Sequence, residues 1–511
     1  MVVKKPKLVF SSVWLLVLLA LVLRIPLLNG SFWLDEAAQA LESARPFSEQ
    51  LDIIPDFQPP LLHLVLHFTM RLGRAEWWLR LIGALIPGLV SIWVTYKIGQ
   101  QLQHKTAGLL ASLLLATSSF HIFYSQELRP YSLAVMWALL SWLFLIRIWQ
   151  QSSSNHHSKQ IFKSNWINYL LVTILGLYST YLYPFLVLSQ LIITSLRFKT
   201  KLKQHFLMLG VAAMAFLPWL PSFYQQLNTG QSWRQIMPGW ERVVSLPQLQ
   251  APALTWGKFV FGKMNLEISW QFVGLSLVIF SLALYLLINL QQNKSSVENK
   301  AWFSNWLLIT LGCCLPFLLA WLISFWIPVV RPKRLLFIQP LMYLSLTILI
   351  TQAWRQSRRL LRYLAALLLI ILISINIFSA YQYYTQPKYQ REDWRGLYQL
   401  ISARFPDRET LILMSFNEPF SAWRWYNQGK FATLTTGSLN INSVDNLQQQ
   451  LQPIYNYDFV LVFDYLRDLT DPDDKLLDVV ESYGFKQHDL IDFANIGFVR
   501  IYIKDTQNIT G

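Results

Sequence analysis

The feature that most constrains this chain is a series of eleven long apolar runs. They fall at about residues 8–28, 77–99, 106–123, 130–149, 166–181, 183–196, 205–221, 268–290, 302–327, 335–353 and 360–381. A bilayer core about 30 Å thick needs roughly 20 apolar residues per helix, and inside it a single helix satisfies all its own backbone polar groups. The runs therefore predict a polytopic α-helical membrane protein of about eleven spans. Only Tyr181 to Pro184 separates the fifth run from the sixth, so these two read either as separate spans or as one kinked element. The first run is long for a cleaved signal and no small-x-small site follows it, so it is expected to be retained. Composition supports the membrane reading: 14% of residues are charged and 54% hydrophobic, against roughly 25% charged in soluble chains. A wholly soluble protein is excluded. The two cysteines, Cys313 and Cys314, are adjacent, which leaves neither a disulfide framework nor a four-cysteine zinc site.

The net charge of +15 is the sum of two opposite parts, +20 in residues 1–384 and −5 in residues 385–511. Basic residues of the first part cluster in alternate short loops, from Lys4, Lys5 and Lys7 through Arg197 to Lys203 and on to Arg355 to Arg362, with Glu298 the one acid among them. The positive-inside rule counts these residues and predicts a cytoplasmic N-terminus. With an odd number of spans, the C-terminal segment is expected outside. Lys and Arg placed this way serve membrane orientation, so nucleic acid is not an expected partner.

Residues 385–511 change character. Helical patterns near 393–404, 443–455 and 474–483 alternate with strand-like stretches at Leu411 to Met414, Phe459 to Phe463, Phe485 to Leu490 and Phe498 to Ile503. The expected organisation is a multi-span part, residues 1–384, followed by a small soluble α/β domain outside the cytoplasm, residues 385–511. No glycine-rich phosphate loop opens its helices, and no internal repeat is visible. Trp423, Trp425 and Tyr426 are aromatics that suit either sugar contact or a core.

Seven of the eleven acids in residues 1–384 lie between Asp35 and Glu76, in the first outer loop at about 29–76. It opens Ser31-Phe32-Trp33-Leu34-Asp35-Glu36, placing two carboxylates just after a Trp suited to the membrane interface. A carboxylate at such a boundary has its proton affinity raised by desolvation or held low by a cation, and both states serve general acid or base chemistry. Composition alone reads the pair more simply as a solvated helix start. The loop continues Asp56-Phe57-Gln58-Pro59-Pro60-Leu61, and the stretch from Pro60 to Gly73 is short for a span, predicting an interfacial helix. Its His63 and His67 share a face at metal-compatible spacing, but the zinc-protease Glu is lacking, and two interfacial histidines are the simpler reading.

A second outer loop reads Tyr124-Ser125-Gln126-Glu127-Leu128-Arg129-Pro130-Tyr131, in which Glu127 and Arg129 pair with each other or Arg129 meets an anionic headgroup. Arg331, Lys333 and Arg334 begin the tenth span on the same face. The positive-inside rule does not explain them, which leaves loop solvation or the binding of a phosphate group.

Arg24 ahead of Trp33-Leu34-Asp35-Glu36, the Gln58-Pro59-Pro60-Leu61 segment, the Tyr124 to Tyr131 stretch, Leu217-Pro218-Trp219-Leu220-Pro221 and Asp393-Trp394-Arg395 together resemble bacterial glycosyltransferase family 39 proteins of the GT-C superfamily. Relatives of that family include protein O-mannosyltransferases and the lipid A aminoarabinose transferases. The resemblance covers nearly all of residues 8–400 and rests on the order and spacing of short motifs. It implies an enzyme of the bacterial plasma membrane that moves a sugar from a polyprenyl-phosphate carrier to a lipid, glycan or protein acceptor on the extracytoplasmic face. Asp35 matches the family's first-loop catalytic Asp, and Glu36, its acidic neighbour, is the second catalytic candidate. Gln58, Glu127, Arg129, Arg331, Lys333 and Arg334 are the candidate substrate-binding residues, with Arg129 and Arg334 falling where the family's basic residues assist the lipid-phosphate side. Where relatives have His or Lys before the Pro-Pro pair this chain has Gln58, a neutral amide. A single displacement at the anomeric carbon implies inversion. No resident cofactor is expected, and a divalent cation held by outer-loop acids stays open. The competing reading is a lipid or sugar transporter, for which polar groups belong at the midplane of broken helices; here the acids avoid the spans. A scaffold or sensor with an outer ligand-binding domain is a third.

Overall fold

The computed structural model describes residues 12–53, 57–102, 104–151, 156–236, 245–264, 269–292, 297–415, 421–436 and 444–504. Each of the eleven apolar runs coincides with a helix within these residues. Seven helices are long and apolar enough to cross a membrane: Glu76–Gln101, Tyr131–Gln150, Lys199–Trp233, Trp270–Gln292, Ala301–Ile323, Pro332–Trp354 and Arg359–Thr385. Three further apolar helices are shorter, Ser12–Arg24, Lys105–Thr117 and Tyr183–Arg197. The fifth and sixth runs form two helices, His156–Leu177 and Tyr183–Arg197, not one kinked element. Lys4, Lys5, Lys7 and Asp56 lie outside the described residues.

Burial separates the helices by role. Pro332–Trp354 is almost wholly enclosed by its neighbours, whereas Lys199–Trp233 and Trp270–Gln292 leave apolar side chains such as Leu207, Met214, Leu277 and Phe280 exposed. Apolar faces of that extent are stable only against lipid or another protein, which makes the chain a membrane protein.

The first loop folds back on the bundle with two short α-helices, Leu34–Ser43 and Leu61–Thr69, the second lying where a helix is expected between Pro60 and Gly73. After the last span comes the strand-containing domain. Five strands, β1 (Thr410–Met414), β2 (Ala432–Thr435), β3 (Phe459–Phe463), β4 (Phe485–Phe493) and β5 (Gly497–Lys504), form a sheet of order β2-β1-β3-β5-β4. β1 pairs parallel with β2 and β3, while β5 runs antiparallel to β3 and β4. Four strands sit where sequence alternation puts them, and β2 is additional.

One apolar core joins this sheet to the first loop. Phe32, Ala37, Leu62 and Leu79 pack with Trp394, Trp423, Ile412 and Phe463 in a single cluster. Trp394 and Trp423 are fully buried there, and each such side chain contributes about 1.5–3 kcal/mol relative to exposure. The domain is consequently docked on the loop that carries Asp35 by the same force that holds its own sheet.

Candidate active site

Trp33 caps the Leu34–Ser43 helix in an extended conformation, so Asp35 and Glu36 occupy its first turn, where the positive end of the helix dipole favours carboxylates. Successive residues on a helix point about 100° apart. That angle sends the two acids to different neighbours.

Glu36 turns inward and is fully buried. Arg80 holds it with a two-pronged fork, Nε to Oε1 at 2.8 Å and Nη2 to Oε2 at 2.5 Å. The Leu128 N–H donates to Oε1 at 2.7 Å, and Arg391 Nε stands 3.4 Å from Oε2. Burial pushes the Glu36 carboxyl upward, but Arg80, Arg391 and these hydrogen bonds outweigh it and hold the group below the usual carboxylate range. Arg80 spends its remaining donors on the carbonyls of Leu28, Gly30 and Ser31. The pair therefore ties the end of the first span, the start of the first loop and the second outer loop to one point.

Asp35 faces the other way and is about one-third exposed. Lys333 Nζ lies 3.6 Å from its Oδ2, and Arg129 Nη1 reaches its backbone carbonyl at 3.4 Å. Lys333 also sits over the rings of Trp33 at 5.7 Å and Tyr131 at 5.4 Å. Pro332 opens the helix Pro332–Ile338, with Arg331 extended just before it and the Arg334 N–H bonded to the Arg331 carbonyl at 3.0 Å. Three cations thus stand at the positive end of a helix, an unfavourable placement that the Asp35 carboxylate beside Lys333 offsets in part. The structure brings Asp35, Glu127, Arg129, Arg331, Lys333 and Arg334 into one electrostatic cluster.

Glu127 lies beneath this cluster, fully buried, with no hydrogen bond to either carboxylate oxygen among the described residues. Arg391 Nη2 is 3.9 Å from Oε2. Burial pushes the Glu127 carboxyl up to about 7, against Arg391 and Lys333 and with help from Glu36 and Asp35. Beside it is Lys263, whose ammonium lies 3.7 Å over the Phe123 ring and is pushed down to about 7 by burial, with Glu127 opposing. Gly262 makes this placement possible. Its φ of +77° and its lack of a Cβ, which would strike Ser119 and Ser379, let the Lys263 N–H reach Ser119 Oγ at 2.8 Å.

The buried Gln58 amide meets Gln39, one helical turn beyond Asp35, and His63 Nε2 at 3.0 Å. His63 Nδ1 is 3.8 Å from Glu42, while His67 Nδ1 meets the Ser43 carbonyl at 3.2 Å. Arg24 is a structural residue of the first span, donating to the Ala20 and Ala116 carbonyls and meeting His121 Nδ1 at 2.9 Å.

Sequence reasoning missed Lys263, Arg391, Glu392 and Tyr465. Glu392 accepts from Trp394 Nε1 and from the Tyr465 hydroxyl, both at 2.7 Å, and burial pushes it up to about 7 against those two bonds, with Asp35 adding to the rise. Arg391 and Glu392 directly precede the Asp393-Trp394-Arg395 motif, so extending that motif by two residues would have found them. Lys263 carried no local signal, and Tyr465 reaches the site from the sheet domain. Among the described residues no group of three or more His, Cys, Asp or Glu side chains could hold a metal ion.

The described residues thus form a helical membrane bundle with charged groups gathered at one end, under a first loop and a small C-terminal sheet. Residues 57–224 match the family of dolichyl-phosphate-mannose-protein mannosyltransferases. Over the whole chain, the fold is similar to ArnT from Cupriavidus metallidurans in the apo state, with a TM-score of 0.58, 12% identity, and 96% of this chain and 97% of that one covered. ArnT bound to undecaprenyl phosphate gives 0.58 at 11% identity, covering 97% and 98%. The oligosaccharyltransferase AglB from Archaeoglobus fulgidus, in complex with an inhibitory peptide and a dolichol-phosphate, gives 0.54 at 12% identity, covering 98% of this chain and 74% of that one. No curated protein matches by sequence. The motif resemblance to GT-C glycosyltransferases is borne out, by a matched sequence segment and by a shared fold.

Proposed function

We propose that the chain is a membrane glycosyltransferase that moves a sugar from a polyprenyl-phosphate donor to an acceptor hydroxyl, with Asp35 as general base. The observation that carries this reading is the juxtaposition of a part-exposed carboxylate with Arg129, Arg331, Lys333 and Arg334. Lipid-phosphate binding by ArnT and AglB, whose folds this chain shares, supports it.

In the reaction the acceptor oxygen attacks the anomeric carbon and its proton passes to Asp35. The bond from that carbon to the phosphate oxygen breaks, and the phosphate leaves with the electron pair. Guanidinium groups fixed at the cluster stabilise the growing charge, because charge-assisted hydrogen bonds strengthen as phosphate departs. An arriving phosphate also competes for Lys333 and so frees Asp35 toward the acceptor. One displacement inverts the anomeric centre. Glu36 acts here by position: locked to Arg80, it fixes the helix start that aims Asp35. Residues 1–384 carry the chemistry, and residues 385–511 cover it from the extracytoplasmic side, with the N-terminus in the cytoplasm of a bacterial cell.

Purified protein supplied with a polyprenyl-phosphate sugar tests the reading. Release of lipid phosphate together with loss of the sugar from the carrier is expected. No cleavage of any such donor, with a folded protein, contradicts it.

A further inference from the structure

A cavity of about 860 Å³ lies between the first loop and the C-terminal domain, apart from the Asp35 cluster. Tyr398, Trp425 and Tyr426 line it with aromatic surface, and Arg74, Arg395 and Arg424 bring three guanidinium groups to the same space. Its acid, Glu76, is already engaged by Arg395 Nη2 at 3.3 Å and by the Tyr426 hydroxyl at 3.0 Å. Arg74 and Arg424 are exposed and form no ion pair among the described residues.

The walls are held from behind. Trp425 packs on Phe32 at 5.5 Å between ring centroids, and the Tyr426 hydroxyl accepts the Phe32 N–H at 2.7 Å. The Arg395 N–H donates to Ser31 Oγ at 3.0 Å. These anchors belong to the strand of loop that leads directly into Asp35, so the cavity and the reacting carboxylate share one rigid support.

We infer that this cavity binds an acidic oligosaccharide, the part of the acceptor remote from the reacting hydroxyl. Aromatic faces with a few convergent polar groups are the usual lining of a ligand site, and flat rings suit the apolar faces of sugar units. Two exposed guanidinium groups beside the aromatic wall suit carboxylate or phosphate substituents on the sugar. Leu41 and Ala44 of the lining follow Asp35 on its own helix, about 9 to 14 Å along the axis at 1.5 Å per residue. A sugar held there is therefore not the one that reacts, and its binding energy serves to position the next units. An extended peptide fits less well. Of edge strand β2 only Thr433 reaches the cavity, and its Oγ1 already accepts from Trp423 Nε1 at 3.1 Å. This inference rests on the transferase reading and adds the class of acceptor to it.

The test is isothermal titration of the purified full chain with a uronic-acid tetrasaccharide, a phosphorylated tetrasaccharide, a neutral glucose tetrasaccharide, inorganic phosphate and an acidic peptide. Binding of an acidic tetrasaccharide is expected, with the neutral one, phosphate alone and the peptide each at least about tenfold weaker, as loss of a charge-assisted contact implies. Arg424→Ala and Arg74→Ala, at exposed positions, should each weaken the acidic sugar by about tenfold, and Trp425→Ala by at least as much. No binding of either acidic sugar, equal binding of any comparison ligand, or full affinity in both arginine variants overturns the inference. Donor cleavage by the unmodified protein is measured in parallel. Acidic sugar bound without donor cleavage keeps the cavity and overturns the transferase reading; cleavage without sugar binding does the reverse.

Discussion

Removing Arg80 from Glu36 exposes the strongest structural commitment of the site. In Arg80→Ala, Glu36 loses both arms of its fork, at 2.8 and 2.5 Å, and the carbonyls of Leu28, Gly30 and Ser31 lose their donor as well. Glu36 keeps only the Leu128 N–H and the more distant Arg391, while remaining fully buried. Breaking a buried pair from one side costs about 3–5 kcal/mol, because the remaining charge is left uncompensated. Replacing both members with apolar residues of similar volume, Glu36→Leu with Arg80→Met, is often neutral by comparison. Equilibrium unfolding in mixed micelles across the four combinations of Glu36→Leu and Arg80→Met should therefore show the double variant more stable than Arg80→Met alone, with a coupling of about 2–4 kcal/mol, within the range seen for contacting buried charges. Transfer should fall in every variant that loosens the Leu34–Ser43 helix start, in proportion to lost order around Asp35. An Arg80→Ala protein as stable as the parent refutes the reasoning. So does a Glu36→Gln protein that keeps its stability and loses about 100-fold or more in rate, for that result assigns proton transfer to Glu36 itself.

Other outcomes follow from the same geometry. Arg129→Ala and Arg334→Ala should each reduce donor turnover by about 2–4 kcal/mol of transition-state stabilisation, read as kcat/KM for a polyprenyl-phosphate sugar; unchanged values make these residues structural. Gln58→Lys places a charge between Gln39 and His63, at a 5% exposed position, and should lower the midpoint of thermal unfolding; an unchanged midpoint contradicts that placement. Folding raises the Glu392 carboxyl to about 7 by burial, so its proton is held more tightly in the folded state and stability falls as pH rises from the unfolded value near 4.5 through about 7. Glu392→Gln should match the parent near pH 4 and be the more stable protein near pH 8; a parent equally stable at both, relative to the variant, removes the claim. A reporter active only outside the cytoplasm should be active when fused after Lys504 and silent in the 150–165 loop, and the reverse pattern overturns the orientation.

Long-period signals in the sequence carried most of the architecture. Long apolar runs can do little except form helices, so each of the eleven coincides with a helix, and seven helices among the described residues are long and apolar enough to cross a membrane. Alternation located β1, β3, β4 and β5, whereas β2, four residues with every side chain only part-buried, has no apolar face to announce it. The Ser421–Asn427 helix was hidden for a related reason, since its seven residues are too few for helical periodicity to stand out. At the site, Asp35, Glu127 and the cations at 129 and 331–334 were legible because charges at a membrane boundary are costly and therefore conspicuous. Their pairing was not legible. That Glu36 belongs to Arg80 and Asp35 to Lys333 depends on helix phase and on contacts across 44 and almost 300 residues, which no local pattern encodes. Gln58 stands next to the Pro-Pro pair as in the motif, while its amide meets Gln39 and His63 and its carbonyl accepts from Gln226 of a distant helix, contacts that the motif does not encode.

Single-turnover transfer by purified Asp35→Asn protein, with a polyprenyl-phosphate sugar and acceptor in excess, tests the central claim most directly. The substitution keeps the shape of the side chain and removes the base, so the rate should fall by roughly 10² to 10⁴ while donor binding and unfolding stay near the parent values. Transfer at the parent rate would contradict Asp35 as the base and with it the site built around Lys333 and the arginines.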